Sequence, residues 1–85
     1  MKMKDLYMQY KKNHPDSILL FRFGEFYEAF FEDAMHIYEA IFLPATTRID
    51  KDGAQYAVCR IRAENVENCI NDLKAVGCEV ILYGE

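Results

Sequence analysis

The chain has 85 residues, room for one domain and too little for a P-loop ATPase, a Rossmann domain or a barrel enzyme. At 52% hydrophobic and 28% charged, with four Gly and two Pro, the composition is that of a globular domain and not of a disordered chain. Ten Lys and Arg against fourteen Asp and Glu leave a formal net charge of −4. That balance counts against a protein whose whole task is gripping a polyanion, because nucleic-acid affinity comes mainly from neutralised phosphates.

Along the chain, residues 3–13 place Leu6, Tyr7 and Tyr10 at helical spacing, and Asn13-His14-Pro15 stops the helix. No long apolar core follows Lys2 and Lys4, so the N-terminus does not read as a signal peptide, and no run is long enough to span a bilayer. Ser17 to Phe23 is a continuous apolar run between Pro15-Asp16 and Gly24, the pattern of a strand buried on both faces. The stretch from Glu25 to Phe42 is ambiguous. Phe26, Phe30, Ala34, Ile37 and Ile41 suit one long helix, while the alternation in Glu25-Phe26-Tyr27-Glu28-Ala29-Phe30 suits a short strand.

From Ile41 to Ile49 the chain becomes β-like, Asp50-Lys51-Asp52-Gly53 favours a hairpin turn, and Gln55 to Ile61 reads as the returning strand. Val66, Cys69, Ile70, Leu73 and Val76 define an amphipathic helix ended by Gly77, and Glu79 to Tyr83 closes as a last strand. The sum is an α+β domain: one mixed sheet of about five strands with three helices packed on it, in the order α-β-β-α-β-β-α-β.

The three cysteines, Cys59, Cys69 and Cys78, are an odd number without CxxC spacing, which fits buried thiols in a reducing cytoplasm better than a disulfide framework or zinc site. His14 and His36 stand far apart, and Ser17 lacks a G-x-S-x-G setting. The acidic group Glu25, Glu28, Glu32, Asp33 and Glu39 reads as a solvated face, not a catalytic constellation. With no Walker A motif, neither an enzyme nor a cofactor is expected of this chain.

The informative stretch is Phe23-Gly24-Glu25-Phe26-Tyr27-Glu28-Ala29-Phe30. It resembles the G-[DE]-F-Y-E motif that opens the N-terminal mismatch-recognition domain of bacterial MutS DNA mismatch-repair proteins. Other landmarks are similar in order. Tyr10-Lys11-Lys12-Asn13-His14-Pro15 before Ile18-Leu19-Leu20-Phe21 is one, Phe31-Glu32-Asp33-Ala34 a second, and Val66-Glu67-Asn68 with Gly77 a third. The resemblance covers essentially the whole chain. It departs at Ala57-Val58-Cys59-Arg60-Ile61-Arg62, where the family usually has a P-M-A-G-I-P-like loop whose backbone path should differ.

The resemblance implies a MutS N-terminal-like domain over residues 1–85, without the family domain's final strand and without connector, clamp and ATPase parts. It implies that G-E-F-Y-E-A-F is a second strand paired with the first, with a helix beginning near Glu32. Phe26 would enter the minor groove of double-stranded DNA at a mispair or small loop and stack on the base. Glu28 would hydrogen-bond that base; separately from the resemblance, low dielectric and nearby phosphates favour its protonated form, which would donate to a base acceptor. Arg22, Phe23, Arg48, Arg60 and Arg62 would be backbone or groove contacts, with Lys2, Lys4, Lys11 and Lys12 as further positive charge. DNA binding by so acidic a chain is expected to be weak, and the setting cytoplasmic.

The other reading is a non-catalytic interaction module on the same fold, whose exposed sheet edge pairs with a partner protein or a second copy of the chain. If DNA is the ligand, Arg22, Arg60 and Arg62 should share a face with Phe26. A surface there dominated by Glu25, Glu32 and Asp33 would favour the interaction module.

Overall fold

The structure, a computed structural model, describes residues 3–84, so Lys2 lies outside the described residues. The elements are α1 (Met3–Lys11), β1 (Ile18–Phe23), β2 (Phe26–Phe30), α2 (Glu32–Ile41), β3 (Thr46–Ile49), β4 (Gln55–Arg62), α3 (Val66–Ala75) and β5 (Val80–Tyr83), with a 3-10 turn over Ala63–Asn65. The strands form one sheet in the order β3-β4-β2-β1-β5, antiparallel throughout except for the parallel pair β1 and β5. This is the expected α+β architecture in the expected element order.

Because successive strand residues point to opposite faces, the pleat sorts the core into two halves. On one face Ile18 and Leu20, Tyr27 and Ala29, and Cys59 and Ile61 are buried beneath Ala34 and Ile37 of α2 and Val66 and Leu73 of α3. On the other, Leu19, Phe21, Phe30 and Val58 are buried with Tyr7 of α1. Each Val, Leu, Ile or Phe among them contributes about 1.5–3 kcal/mol on leaving water. Two helices cover the first face; one short helix covers only an end of the second.

The ambiguous stretch is strand and then helix. Phe26 and Phe30 are four residues apart, a spacing that a period of 2 and a period of 3.6 both accommodate, so they could not separate the two readings. The divide falls at Phe31, whose φ of 55° lies in a region that bulky residues rarely enter. Such a residue costs about 1–3 kcal/mol and must be held by its surroundings. Here its N–H donates to the Ala57 carbonyl at 3.0 Å, and its ring stacks on Tyr56 at 5.2 Å between centroids. In the first turn of α2 the buried Asp33 carboxylate accepts from the Leu19 N–H at 3.1 Å and from Lys11 Nζ at 2.7 Å, tying α1, β1 and α2 together.

Several boundaries differ from the sequence reading. β1 is buried only as far as Phe21, and Arg22 and Phe23 are exposed, because the cover over both faces ends there. β3 begins only at Thr46, since Phe42 closes α2 in a left-handed conformation at φ 62° and Pro44 follows. Val76 is exposed and outside α3, whose end is a Schellman-type closure: Cys78 N–H to Leu73 O, and Gly77 N–H to Lys74 O, each at 3.0 Å. Residues 57–62 are most of β4, as the strand reading of Gln55 to Ile61 expected and the comparison with the family's loop did not, paired with β2 on one side and with β3 on the other.

Of the cysteines, Cys59 is buried, and burial pushes its thiol up to about 11; Cys69 and Cys78 are half-buried. No helix among the described residues is long and apolar enough to cross a membrane.

Candidate functional site

The hairpin joining β1 to β2 has two loop residues, Gly24 and Glu25. Gly24 takes φ 62° while Glu25 does not have a positive φ, the pattern of a II′ turn with glycine first. That turn sets Phe23 opposite Phe26 and Phe21 opposite Glu28. On the far side of β2, Phe26 pairs with Arg62 and Glu28 with Arg60. Directly paired residues share a face, so Phe23, Phe26, Glu28, Arg60 and Arg62 project together from the part of the sheet that α1 leaves bare.

The geometry within this patch is tight. The Arg60 guanidinium carbon lies 3.8 Å from the centre of the Phe26 ring, and that of Arg62 lies 5.6 Å away. The Arg60 Nε also meets Glu28 Oε2 at 3.0 Å. From β3, Arg48 grips the same carboxylate with both nitrogens, Nη1 to Oε1 and Nη2 to Oε2, each at 2.9 Å. The hydrogen bond to Glu28 raises the Arg48 pKa above its ordinary value. Phe23 is half-exposed at the rim and meets Phe30 edge-on at 6.3 Å.

Glu28 is only 6% exposed, while the arginines that cover it are 41% and 48% exposed. Two guanidiniums bond this one carboxylate and a third, Arg62, lies by the Phe26 ring, so this patch is cationic although the chain as a whole carries −4. A flat apolar ring rimmed by planar cations can stack on an aromatic ligand while its neighbours bond an anion.

Not every residue expected at this site is there. Arg22 points to the opposite face, where its guanidinium lies 5.5 Å from the Tyr27 ring and its Nε donates to the Gly24 carbonyl at 3.0 Å. The expectation that it would join Phe26 is corrected by the pleat: residue 22 must face away from residues 23 and 26. Lys11 is not available surface charge either, since it is committed to Asp33 with side chains 13% and 3% exposed. Lys4 and Lys12 are exposed on or just beyond α1.

The acidic surface set out as the alternative does not form at Phe26. Glu25 is exposed at the hairpin, Glu32 is exposed at the start of α2, and Asp33 is buried against Lys11. Sequence reasoning placed Arg48 and Arg60 as independent contacts and missed that both hold Glu28. Their pairing depends on β2 lying against β4, which no local pattern reveals. Among the described residues, no three His, Cys, Asp or Glu side chains gather to hold a metal ion.

Fold and site together define a small α+β domain with one face sealed by helices and half of the other open, presenting an aromatic ring among guanidiniums. The chain belongs to the MutS domain I family, whose model matches residues 1–85. It is 32% identical over 78 residues to the DNA mismatch repair protein MutS of Rhizobium meliloti (strain 1021), covering 92% of this chain. Over 76 residues, 89% of the chain, it is 37% identical to MutS of Myxococcus xanthus (strain DK1622) and 36% identical to that of Desulfatibacillum aliphaticivorans. The chain spans about 8% of the length of these relatives.

Proposed function

We propose that this domain binds double-stranded DNA at a mispair or small loop, with Phe26 entering the minor groove to stack on the mispaired base and Glu28 hydrogen-bonding it. One observation carries the reading: in a member of the MutS domain I family, Phe26 stands on the uncovered part of the sheet with Arg60 and Arg62 against its ring and Glu28 beside it. A mispaired step is cheaper to unstack than a paired one, so an apolar wedge selects weak pairing without reading sequence.

Base stacking on an aromatic side chain contributes roughly 1–3 kcal/mol, while unstacking costs a few kcal/mol per step. The wedge therefore discriminates, and grip must come from phosphate contacts. Arg62 supplies those on the probing face, joined by Arg48 and Arg60 where they exchange Glu28 for a phosphate, and Phe23 lines the groove beside Phe26. With so few cations on an acidic chain, binding by the domain alone is weak.

The test is an anisotropy titration of the chain at low salt with a mispaired duplex and its perfect counterpart, repeated with Phe26→Ala. The wild type should prefer the mispaired duplex by roughly tenfold, the equivalent of a single stacked base. The variant should bind both alike. Equal binding of the two duplexes by the wild type, unchanged in the variant, would overturn the reading. No binding at all would leave the family and fold standing and move the function to a protein partner at an exposed sheet edge.

A further inference from the structure

The two residues read as the probe are both held by one side chain. Arg60 lays its guanidinium on the Phe26 ring at 3.8 Å and directs its Nε to Glu28 Oε2 at 3.0 Å. In this arrangement one side of the ring is covered and the carboxylate is nearly sealed at 6% exposure, so a base gains that ring face and the carboxylate only by displacing the guanidinium. Arg48 differs. It approaches Glu28 from β3, has no contact with Phe26, and its bidentate bond keeps the carboxylate oriented whether or not Arg60 is present. Arg60 is also half-exposed, so its guanidinium has a way out into solvent, where it would meet a phosphate.

We propose that Arg60 is a specificity-determining latch: it closes over Phe26 and Glu28 in the free chain and must pass to a DNA phosphate before the pair can engage a mispaired base. This rests on the reading of Phe26 and Glu28 as the probe. A guanidinium bonds phosphate and carboxylate alike, so the exchange goes forward only where stacking of an unpaired base offsets the lost carboxylate and ring contacts. A perfect duplex resting on the patch without insertion leaves the latch closed. A mispaired duplex opens it, so the mispaired complex makes one phosphate contact that the perfect complex does not.

The consequence is readable as salt dependence. Each phosphate neutralised adds about 0.9 to the slope of log affinity against log salt. The mispaired duplex should therefore show a slope steeper by about 0.9 than the perfect duplex, and the mismatch preference should fall roughly threefold between about 50 and 200 mM salt.

The experiment measures both slopes by anisotropy for the wild-type chain, Arg60→Ala, Arg60→Lys and Phe26→Ala. Arg60→Ala should make the two slopes parallel while keeping a Phe26-dependent preference at low salt; Arg60→Lys, which retains a phosphate-binding charge, should keep the difference. Parallel slopes in the wild type would overturn the latch, and they decide the matter even if Arg60→Ala does not fold. A slope difference that persists in Arg60→Ala would overturn it too. Loss of the wild-type mismatch preference itself, judged against Phe26→Ala, would instead sink the probe reading and the latch with it. A second readout needs no affinity: in NMR spectra of the free chain, the Arg60 side-chain protons should be shifted upfield by the Phe26 ring. They should return toward ordinary positions with the mispaired duplex alone; a shift that survives in that complex would contradict the latch.

Discussion

At the end of the sheet covered by α1, a buried carboxylate, Asp33, is bonded by a lysine and lies beside Tyr7, whose ring packs on Phe31. At the uncovered end, a buried carboxylate, Glu28, is bonded by two arginines beside the Phe23 and Phe26 rings. The chemistry is nearly the same, and the difference lies in the cations. Lys11 is 13% exposed and also bonds the Ser17 carbonyl, so it has nowhere to go. Arg48 and Arg60 are more than 40% exposed and can exchange partners with something arriving from solvent. An ion pair under a helix fastens elements together; the same pair on a bare sheet is a contact that a ligand can displace. A domain at −4 can thus still present cationic groups to an anion, because its open end concentrates them.

The largest loss of stability is expected at the covered end. Tyr7 is 2% exposed and packs against Phe31 at 5.2 Å. Tyr7→Ala should lower stability by about 3–4 kcal/mol, a large share of what so small a domain has, as read by urea denaturation. Phe26→Ala should lower it by less than about 1 kcal/mol, because its ring is already partly in water. Similar losses at both sites would show that the two ends are not built for different purposes.

The smallest effect sharpens the electrostatic half of the comparison. Glu28→Gln leaves Arg48 and Arg60 without their shared counter-ion and so frees both for phosphates. Affinity for a perfect duplex should rise a fewfold at low salt with a steeper salt slope, while the preference for a mispair shrinks. Unchanged affinity for the perfect duplex would mean that Glu28 does not restrain the arginines.

Much of this was legible in the chain itself. Breakers at Pro15, Gly24, Gly53 and Gly77 punctuate apolar segments whose periods give the element order. Phe26 and Glu28 stood out through the G-E-F-Y-E resemblance, and alternation put them on one face. Arg22 is four residues before Phe26, so alternation alone would keep the two on one face; the two-residue turn at Gly24-Glu25, which pairs Phe23 with Phe26, sends Arg22 to the other. The partners of Glu28 were not legible. Arg48 and Arg60 lie 20 and 32 positions downstream, and only the β2–β4–β3 order brings them to it. Nothing in the first helix marks Lys11 as half-buried and paired, because a lysine at a helix end ordinarily faces water.

The most direct measurement replaces the mispaired thymine of a short duplex with 5-iodouracil, which cross-links on irradiation to an aromatic side chain stacked on it. The complex is irradiated and the cross-linked peptide is sequenced by mass spectrometry. The cross-link should fall on Phe26, and a perfect duplex carrying the same base should give little of it. A cross-link at Phe23, or none from a duplex shown to be bound, would contradict a Phe26 wedge.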